Sequence, residues 1–488
     1  MKLYKFYGPP GTGKTHRLIS RVKAYARTGI PYHKIGYFAF TRKAAAEARE
    51  RIGVNRKEIP YFQTLHSFAY HKLGLREENI MQPYHYEELG KKLGIKVNYV
   101  DKFNEEETTF LSCNDPYFQM IGRAMNRDVT IREEFDRNEH DRKAIEWGTL
   151  EHIYDNYLKY KEKSKLYDFN DIITMVSQKE LPTFEAIFID EAQDLSPLQW
   201  KLFDELKKYT KDMYLAGDDD QAIFAWAGAD VNRFINEKPD KERVLKYSKR
   251  ISKAIQEQSE IPLSRISGLR KQKDYFPRNV EGSSQYITDL SQVDLTKGRW
   301  LILARRKDTL MSLMKELVKR NLYFETKKGK SFKVRLYKAA VSYTRWTMGE
   351  SLETHEVKDI QDFIEGEKWN VKLQWYDAFT KAGDKEVTYI RNMLEKNEKL
   401  TEKARIFLST IHAIKGGEED NVILSLELGD KIIKAMGRST DKADEEHRVW
   451  YVGTTRARNN LYKLKAKIAR KGYSCLLYTS DAADDLTR

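Results

Sequence analysis

Apolar residues along this chain gather in short runs, each followed by a stretch in which they recur every three or four positions. KLYKFY (2–7), AIFI (186–189), MYLA (213–216) and WLILARR (300–306) are such runs. Bounded by polar or glycine-rich segments, they predict strands buried in a parallel sheet. THRLISRVKAYART (15–28) predicts a helix after the first run, and YHYEELGKKLG (84–94) carries a helical pattern further on. Leu310, Leu313, Met314, Leu317 and Val318 share one helical stripe after WLILARR, which predicts a core face. Strand and helix in alternation predict an α/β fold with parallel sheets. No apolar run approaches the roughly 20 residues of a membrane span. The opening MKLYKFYGPPGTGK has no apolar stretch or cleavage site of a secretory signal.

The chain has 488 residues, a length that suggests about three domains. Its 87 Lys and Arg against 73 Asp and Glu give a net charge of +14. That excess allows a nucleic-acid partner without requiring one. The 29 Tyr, 21 Phe and 8 Trp matter more, because single-strand binders set rings beside basic grooves. Cys113 and Cys475 are the two cysteines, too few for a disulfide framework or a zinc site. These features predict a protein of the reducing cytoplasm (the host's, if the source is viral).

Between the first strand and helix lies GPPGTGKT, residues 8–15, matching the phosphate-loop pattern G-x-x-x-x-G-K-[ST]. Gly8, Gly11 and Gly13 let backbone N–H groups turn inward around phosphate oxygens, with Pro9, Pro10 and Thr12 between them. The helix N-terminus adds partial positive charge at the same point. Lys14 is placed to reach the β- and γ-phosphates of ATP, and the Thr15 hydroxyl to hold Mg²⁺. AIFI ends in Asp190 and Glu191, at the strand end where α/β sheets bind ligands. Asp190 is expected to hold Mg²⁺ through water or from just beyond its direct ligands, and Glu191 to polarise the attacking water.

GDDDQAIFAWAGAD (217–230) puts three carboxylates and Gln221 directly before Phe224 and Trp226. Gln221 could hydrogen-bond a γ-phosphate, while the two rings, at i and i+2 of an extended segment, could stack on bases. The alternative is two core aromatics beside a capped helix. The order of these segments resembles the superfamily 1 helicases of the UvrD/Rep type. AFTRKAAAEARERI (39–52), TLHSFAY (64–70) and IDEAQDLSPLQW (189–200) precede GDDDQAIFAWAGAD. LKYSKRISKAI (245–255), STIHAIKGGEEDNVIL (409–424) and HRVWYVGTTRAR (447–458) follow it.

That resemblance implies two RecA-like P-loop motor domains, each interrupted by a mainly helical or mixed insertion, with ATP in the cleft between them. By motif position, Lys14, Thr15, Asp190, Glu191 and Gln221 belong to the first domain, and Arg250 and Arg456 come from the second to face the γ-phosphate. Glu418 would contact the nucleotide. Phe40, Thr41, His66, Phe224, Trp226 and His412 would contact single-stranded DNA or lie beside it. The implied activity is ATP-dependent translocation 3′ to 5′ on single-stranded DNA and at single-strand/duplex junctions, with unwinding; RNA stays open. Two other readings are a translocase that mainly displaces proteins and a clamp or loader switched by ATP without hydrolysis.

Three departures modify this picture. Seven residues precede Gly8, so the family's upstream adenine-reading glutamine has no counterpart here. Lys249 stands where the family places a base-stacking tyrosine, and Ala227 where it often has arginine. The first two departures predict partial use of GTP, and the third predicts a weaker coupling contact between strand and cleft. Motif positions allot residues 1–72 and 141–243 to the first motor domain and 73–140 to its insertion. They allot 244–322 and 400–474 to the second motor domain and 323–399 to its insertion. KLYDFNDII (165–173) resembles the family's run ahead of the magnesium strand. SCLLYTSDAADDLTR (474–488) drops the basic, amphipathic character before it and resembles translated adapter sequence. Residues 475–488 are accordingly expected to be a non-native or disordered tail.

Overall fold

Six strands of the amino-terminal half pair side by side: β1 (Lys2–Tyr7), β2 (Ile35–Phe38), β3 (Phe62–Gln63), β4 (Phe184–Ile189), β5 (Thr210–Gly217) and β6 (Lys241–Val244). In this computed structural model, which describes residues 1–97, 115–138, 145–366 and 369–473, they form one sheet in the order β3-β2-β4-β5-β1-β6. Every pairing in it is parallel. Both cysteines and the tail expected at 475–488 lie outside the described residues.

The apolar runs are continuous because both faces of this sheet are covered. Ile187, Ile189, Met213 and Leu215 join one core with Phe68 and Trp200. Their neighbours Ala186, Phe188, Tyr214 and Ala216 point the other way, onto Leu18 and Val22 of the helix Lys14–Arg27. Strand alternation thus feeds two cores from one run of residues. A separate helical cluster gathers Tyr86, Phe118, Ile121, Leu150 and Tyr157.

A second sheet has the order β10-β9-β11-β8-β12-β13-β7. Its strands are β7 (Ser283–Ile287), β8 (Trp300–Ala304), β9 (Phe324–Thr326), β10 (Gly329–Lys330), β11 (Ile406–Thr410), β12 (Glu419–Ser425) and β13 (Ala457–Leu464). The β9–β10 hairpin is antiparallel, and the other pairings are parallel. The fold is therefore α/β with mainly parallel sheets, the class expected from the sequence. The helix after β8 spans Lys307–Lys319 and buries Leu313 and Leu317, with Leu310 and Met314 against the same core. Val318 stands 37% exposed at the edge of that stripe, so it is not the core residue its spacing suggested. Residues 334–395 add the helices Val334–Thr347, Thr354–Gln361, Trp375–Ala378 and Asp384–Glu395 around their own core.

The chain divides into two compact units, one of residues 1–253, 262–280 and 436–452, the other of 254–261, 281–435 and the chain from 453 onward. Residues 244–253, 262–280 and 436–452, allotted from motif positions to the second motor domain, pack within the first unit. Charge is one reason, since Arg270 and Lys273 are drawn onto the aspartates that follow β5, while Arg448 Nε donates to the main-chain carbonyl of Asp219. Among the described residues no helix is long and apolar enough to cross a membrane.

Candidate nucleotide and nucleic-acid site

Because all six strands of the first sheet run the same way, their carboxyl ends share one edge, and the segments leaving that edge carry the expected site residues. The loop after β1 is tied to the end of β5 by Gly8 N donating to Gly217 O at 3.0 Å. Thr12 closes it internally, its hydroxyl donating to Pro9 O at 2.8 Å. Gly11 has φ +74°, and a Cβ there would stand 2.2 Å from the Cβ of Arg250, so no other residue fits. Ser248 Oγ donates to Pro10 O at 2.7 Å and Lys249 N to Gly11 O at 2.8 Å. Arg250 is thereby strapped against the loop within the first unit, although motif position had given it to the second domain.

Lys14 is buried, its Nζ donating to Gly8 O at 2.9 Å and lying 3.8 Å from Glu191. Thr15 Oγ1 donates to Asp190 Oδ2 at 2.6 Å, and Tyr37 OH to the same oxygen at 2.9 Å. Burial, then the neighbouring charge of Glu191, pushes the Asp190 carboxyl above the usual range. A buried carboxylate beside a hydroxyl is a pair of hard oxygen ligands, which fits Mg²⁺. Among the described residues no group of three or more His, Cys, Asp or Glu could hold a metal. An ion here would therefore draw its remaining ligands from water and phosphate. Glu191 has φ +55°, a left-handed conformation that costs a glutamate energy and is seen mostly at functional sites. Its Oε2 accepts from Gln193 Nε2 at 2.6 Å.

Gln221 is buried, and its Nε2 donates to Asp218 Oδ2 at 2.6 Å. The three aspartates before it are not open to solvent cations. Lys273 lies 3.0 Å from Asp218, 2.5 Å from Asp219 and 2.8 Å from Asp220, while Arg270 grips Asp220 through two hydrogen bonds. Burial alone would depress the Lys273 ammonium, but the carboxylates hold its pKa above the ordinary lysine value.

The rings form a strip leading away from Asp190. Phe40 stacks on Phe224 with centroids 5.2 Å apart, and Phe224 meets Trp226 at 6.4 Å with a 57° tilt. Phe224 is 5% exposed and Trp226 41%, so one is largely core and the other presents a face. Their segment is not extended: Ala225–Ala227 is a 3-10 turn ended by Gly228 at φ +99°. The Thr41 hydroxyl accepts from Ala44 N at 3.1 Å and caps the next helix. His66 is buried edge-on to Phe169 at 5.8 Å, and burial pushes its pKa down to about 4. A small cavity lined by Phe40, Thr64, His66, Ile189, Asp190 and Gln199 joins the carboxylate to the rings.

The second unit holds the other expected residues at two edges of its sheet. Arg456 and Glu418 directly precede β13 and β12, and Arg456 Nη1 donates to Gly417 O at 3.3 Å. His412 follows β11, at the opposite edge by the parallel register. Burial, then Arg305 and Lys415, push its pKa down to about 3.

Sequence reading passed over several neighbours of the site. Lys273, Arg270 and Arg448 are 50 or more positions from the aspartates they hold, and no local signal marks them. Tyr247 and Phe276 stack at 5.6 Å, 70% and 53% exposed, on segments paired beside the glycine loop.

The family model of the UvrD/REP helicase N-terminal domain matches residues 5–242. The chain is 26% identical over 242 residues to DNA helicase II of Haemophilus influenzae, an alignment covering 45% of this chain and 32% of that protein. It is 26% identical over 304 residues to ATP-dependent DNA helicase PcrA of Bacillus subtilis, covering 56% and 39%. With a probable DNA helicase of Mycoplasma pneumoniae it shares 28% over 271 residues, covering 49% and 48%. The chain thus spans less than half the length of each of these relatives.

Proposed function

We propose that this chain, whose residues 5–242 match the model of the UvrD/REP helicase N-terminal domain, is a UvrD-like superfamily 1 helicase that hydrolyses ATP at the Gly8–Thr15 loop and moves 3′ to 5′ along single-stranded DNA. The observation that carries this is the junction of chemistries at one sheet edge. Thr15 and Asp190 meet at 2.6 Å, and a cavity running from Asp190 opens toward Phe40 at the head of the ring strip.

In this reading Gly8, Pro9, Pro10, Gly11, Thr12 and Gly13 wrap the phosphates with backbone N–H groups. Lys14 leaves the carbonyl of Gly8 for the β- and γ-phosphate oxygens. Thr15 and Asp190 would hold Mg²⁺, which when bound neutralises charge building on those oxygens. Glu191, oriented by Gln193, accepts a proton from water as its oxygen attacks the γ-phosphorus. The bond to the β–γ bridging oxygen breaks, and ADP and phosphate leave. Gln221 reports the γ-phosphate, Arg250 and Arg456 supply positive charge to the transferred group, and Glu418 contacts the nucleotide.

Trp226 offers its ring to bases, Phe40 and Phe224 back it, and Thr41, His66 and His412 lie beside the strand. In this reading the first unit carries the nucleotide loop together with residues 244–253, 262–280 and 436–452, and the protein works in the cytoplasm on single-strand/duplex junctions. ATP hydrolysis by the purified chain is expected to rise severalfold with a single-stranded oligonucleotide and to vanish in Lys14→Ala. An equal rate with and without DNA would overturn the assignment.

A further inference from the structure

The turn carrying Trp226 is held from outside the sheet by the end of the helix Pro116–Arg127. Asn126 Nδ2 donates to Ala227 O at 2.7 Å, and Arg127 Nη2 donates to Ala225 O at 3.1 Å. The carbonyls on both sides of the tryptophan are thus taken by adjacent residues of one helix end. Gly228 fits the arrangement closely, since a Cβ there would touch Arg127 Cγ and Asn126 Nδ2 at 3.4 Å.

Arg127 is itself fixed. Its Nη1 donates to both carboxylate oxygens of the fully buried Glu134, at 2.9 and 2.7 Å. Arg123 Nε donates to the same carboxylate at 3.0 Å, and Asn138 Nδ2 at 2.8 Å. Asn126 is 1% exposed, and among the described residues its Oδ1 is buried without a hydrogen-bond partner. An amide kept only as packing glue would satisfy both ends or be replaced by an apolar residue. Here the acceptor is left unmet while the donor fixes the turn.

We propose that Asn126 and Arg127 are positioning residues for DNA engagement, acting through the turn 225–228 to hold the Trp226 ring in its base-stacking orientation. The proposal rests on the reading of Trp226 as a DNA-contacting ring. It adds that the helical segment before residue 138, outside the sheet that binds nucleotide, sets how well that ring grips.

The test uses the full chain and an oligo-dT strand. In Asn126→Ala, the oligo-dT concentration giving half-maximal stimulation of ATP hydrolysis should rise by about two- to tenfold, the range one buried hydrogen bond supports. The DNA-free rate and the KM for ATP should stay as in the parent. In a Trp226→Ala background the same substitution should produce no further rise. A loss of equal size in both backgrounds, or none in the parent, overturns the proposal. Arg127→Met, which keeps the side-chain stem, serves as the second variant if Asn126→Ala fails to fold. Acrylamide quenching assigned to Trp226, taken as the difference between parent and Trp226→Ala, should increase in either clamp variant. Unchanged quenching refutes the clamp even if the parent shows no response to DNA, a result that would separately refute the reading of Trp226.

Discussion

At the scale of single residues, local backbone demands and long-range partners divide what the chain discloses. Tyr247 turns its ring outward two positions before Lys249, whose amide is bonded to Gly11. Lys249 itself stands where the family places a base-stacking tyrosine, so ATP and GTP should be poorly distinguished. GTP is expected to compete with ATP hydrolysis with an inhibition constant within about tenfold of the KM for ATP, since one edge contact is worth about 1 kcal/mol. Inhibition only at a hundredfold higher concentration would contradict this. His66 gives a pH prediction. Its folded pKa of about 4 lies below the value of 6.5 for an unfolded histidine, so the unfolded chain binds the extra proton between those limits. Stability is therefore whole above pH 6.5 and falls as pH drops toward 4, by about 3 kcal/mol from this group. Denaturant titrations of parent and His66→Gln at pH 7 and pH 5 should show the smaller loss in the variant. The glycine loop was legible because its conformation admits few other residues at fixed spacing. The environment of His66 was not, because burial depends on Phe169, about a hundred positions away.

Among elements, the runs AIFI and MYLA announced β4 and β5 because a parallel strand covered on both faces must be apolar at every position. Charged segments were harder to place. GDDD reads as a cation site in isolation, whereas its carboxylates are consumed by Lys273, Arg270 and the amide of Lys271. Pairing partners so far apart leave no periodic trace, which is also why residues 262–280 and 436–452 were allotted to the other unit. The same segment shows why the turn at 225–227 went unseen, since its shape depends on a helix about a hundred residues earlier. Lys273→Met should leave three buried carboxylates short of their shared cation. A loss of about 3–5 kcal/mol in the unfolding of the first unit is expected. Chemical denaturation followed by tryptophan fluorescence would check it, and an unchanged midpoint would mean the cluster contributes nothing.

For the whole molecule, the rival reading of a translocase that mainly displaces proteins rests on the small helical segment between β10 and β11, and it can be tested directly. The chain is expected to displace streptavidin from the 5′ end of a biotinylated strand faster than it opens a forked duplex of similar length. Faster unwinding would reverse that order, and displacement only from the 3′ end would reverse the assigned polarity. Within the second unit, one connection has a mechanical consequence. The chain leaves β11 at Thr410, coils through about a turn, and re-enters the sheet at Glu419 on the far rim, two strands over. Crossing takes roughly 20 Å, and nine residue steps including a coiled turn reach little further. The span from Ile411 to Glu418 can lengthen only by opening its coiled turn. A large displacement of His412 would have to uncoil that turn or move Gly417, whose carbonyl accepts from Arg456 Nη1.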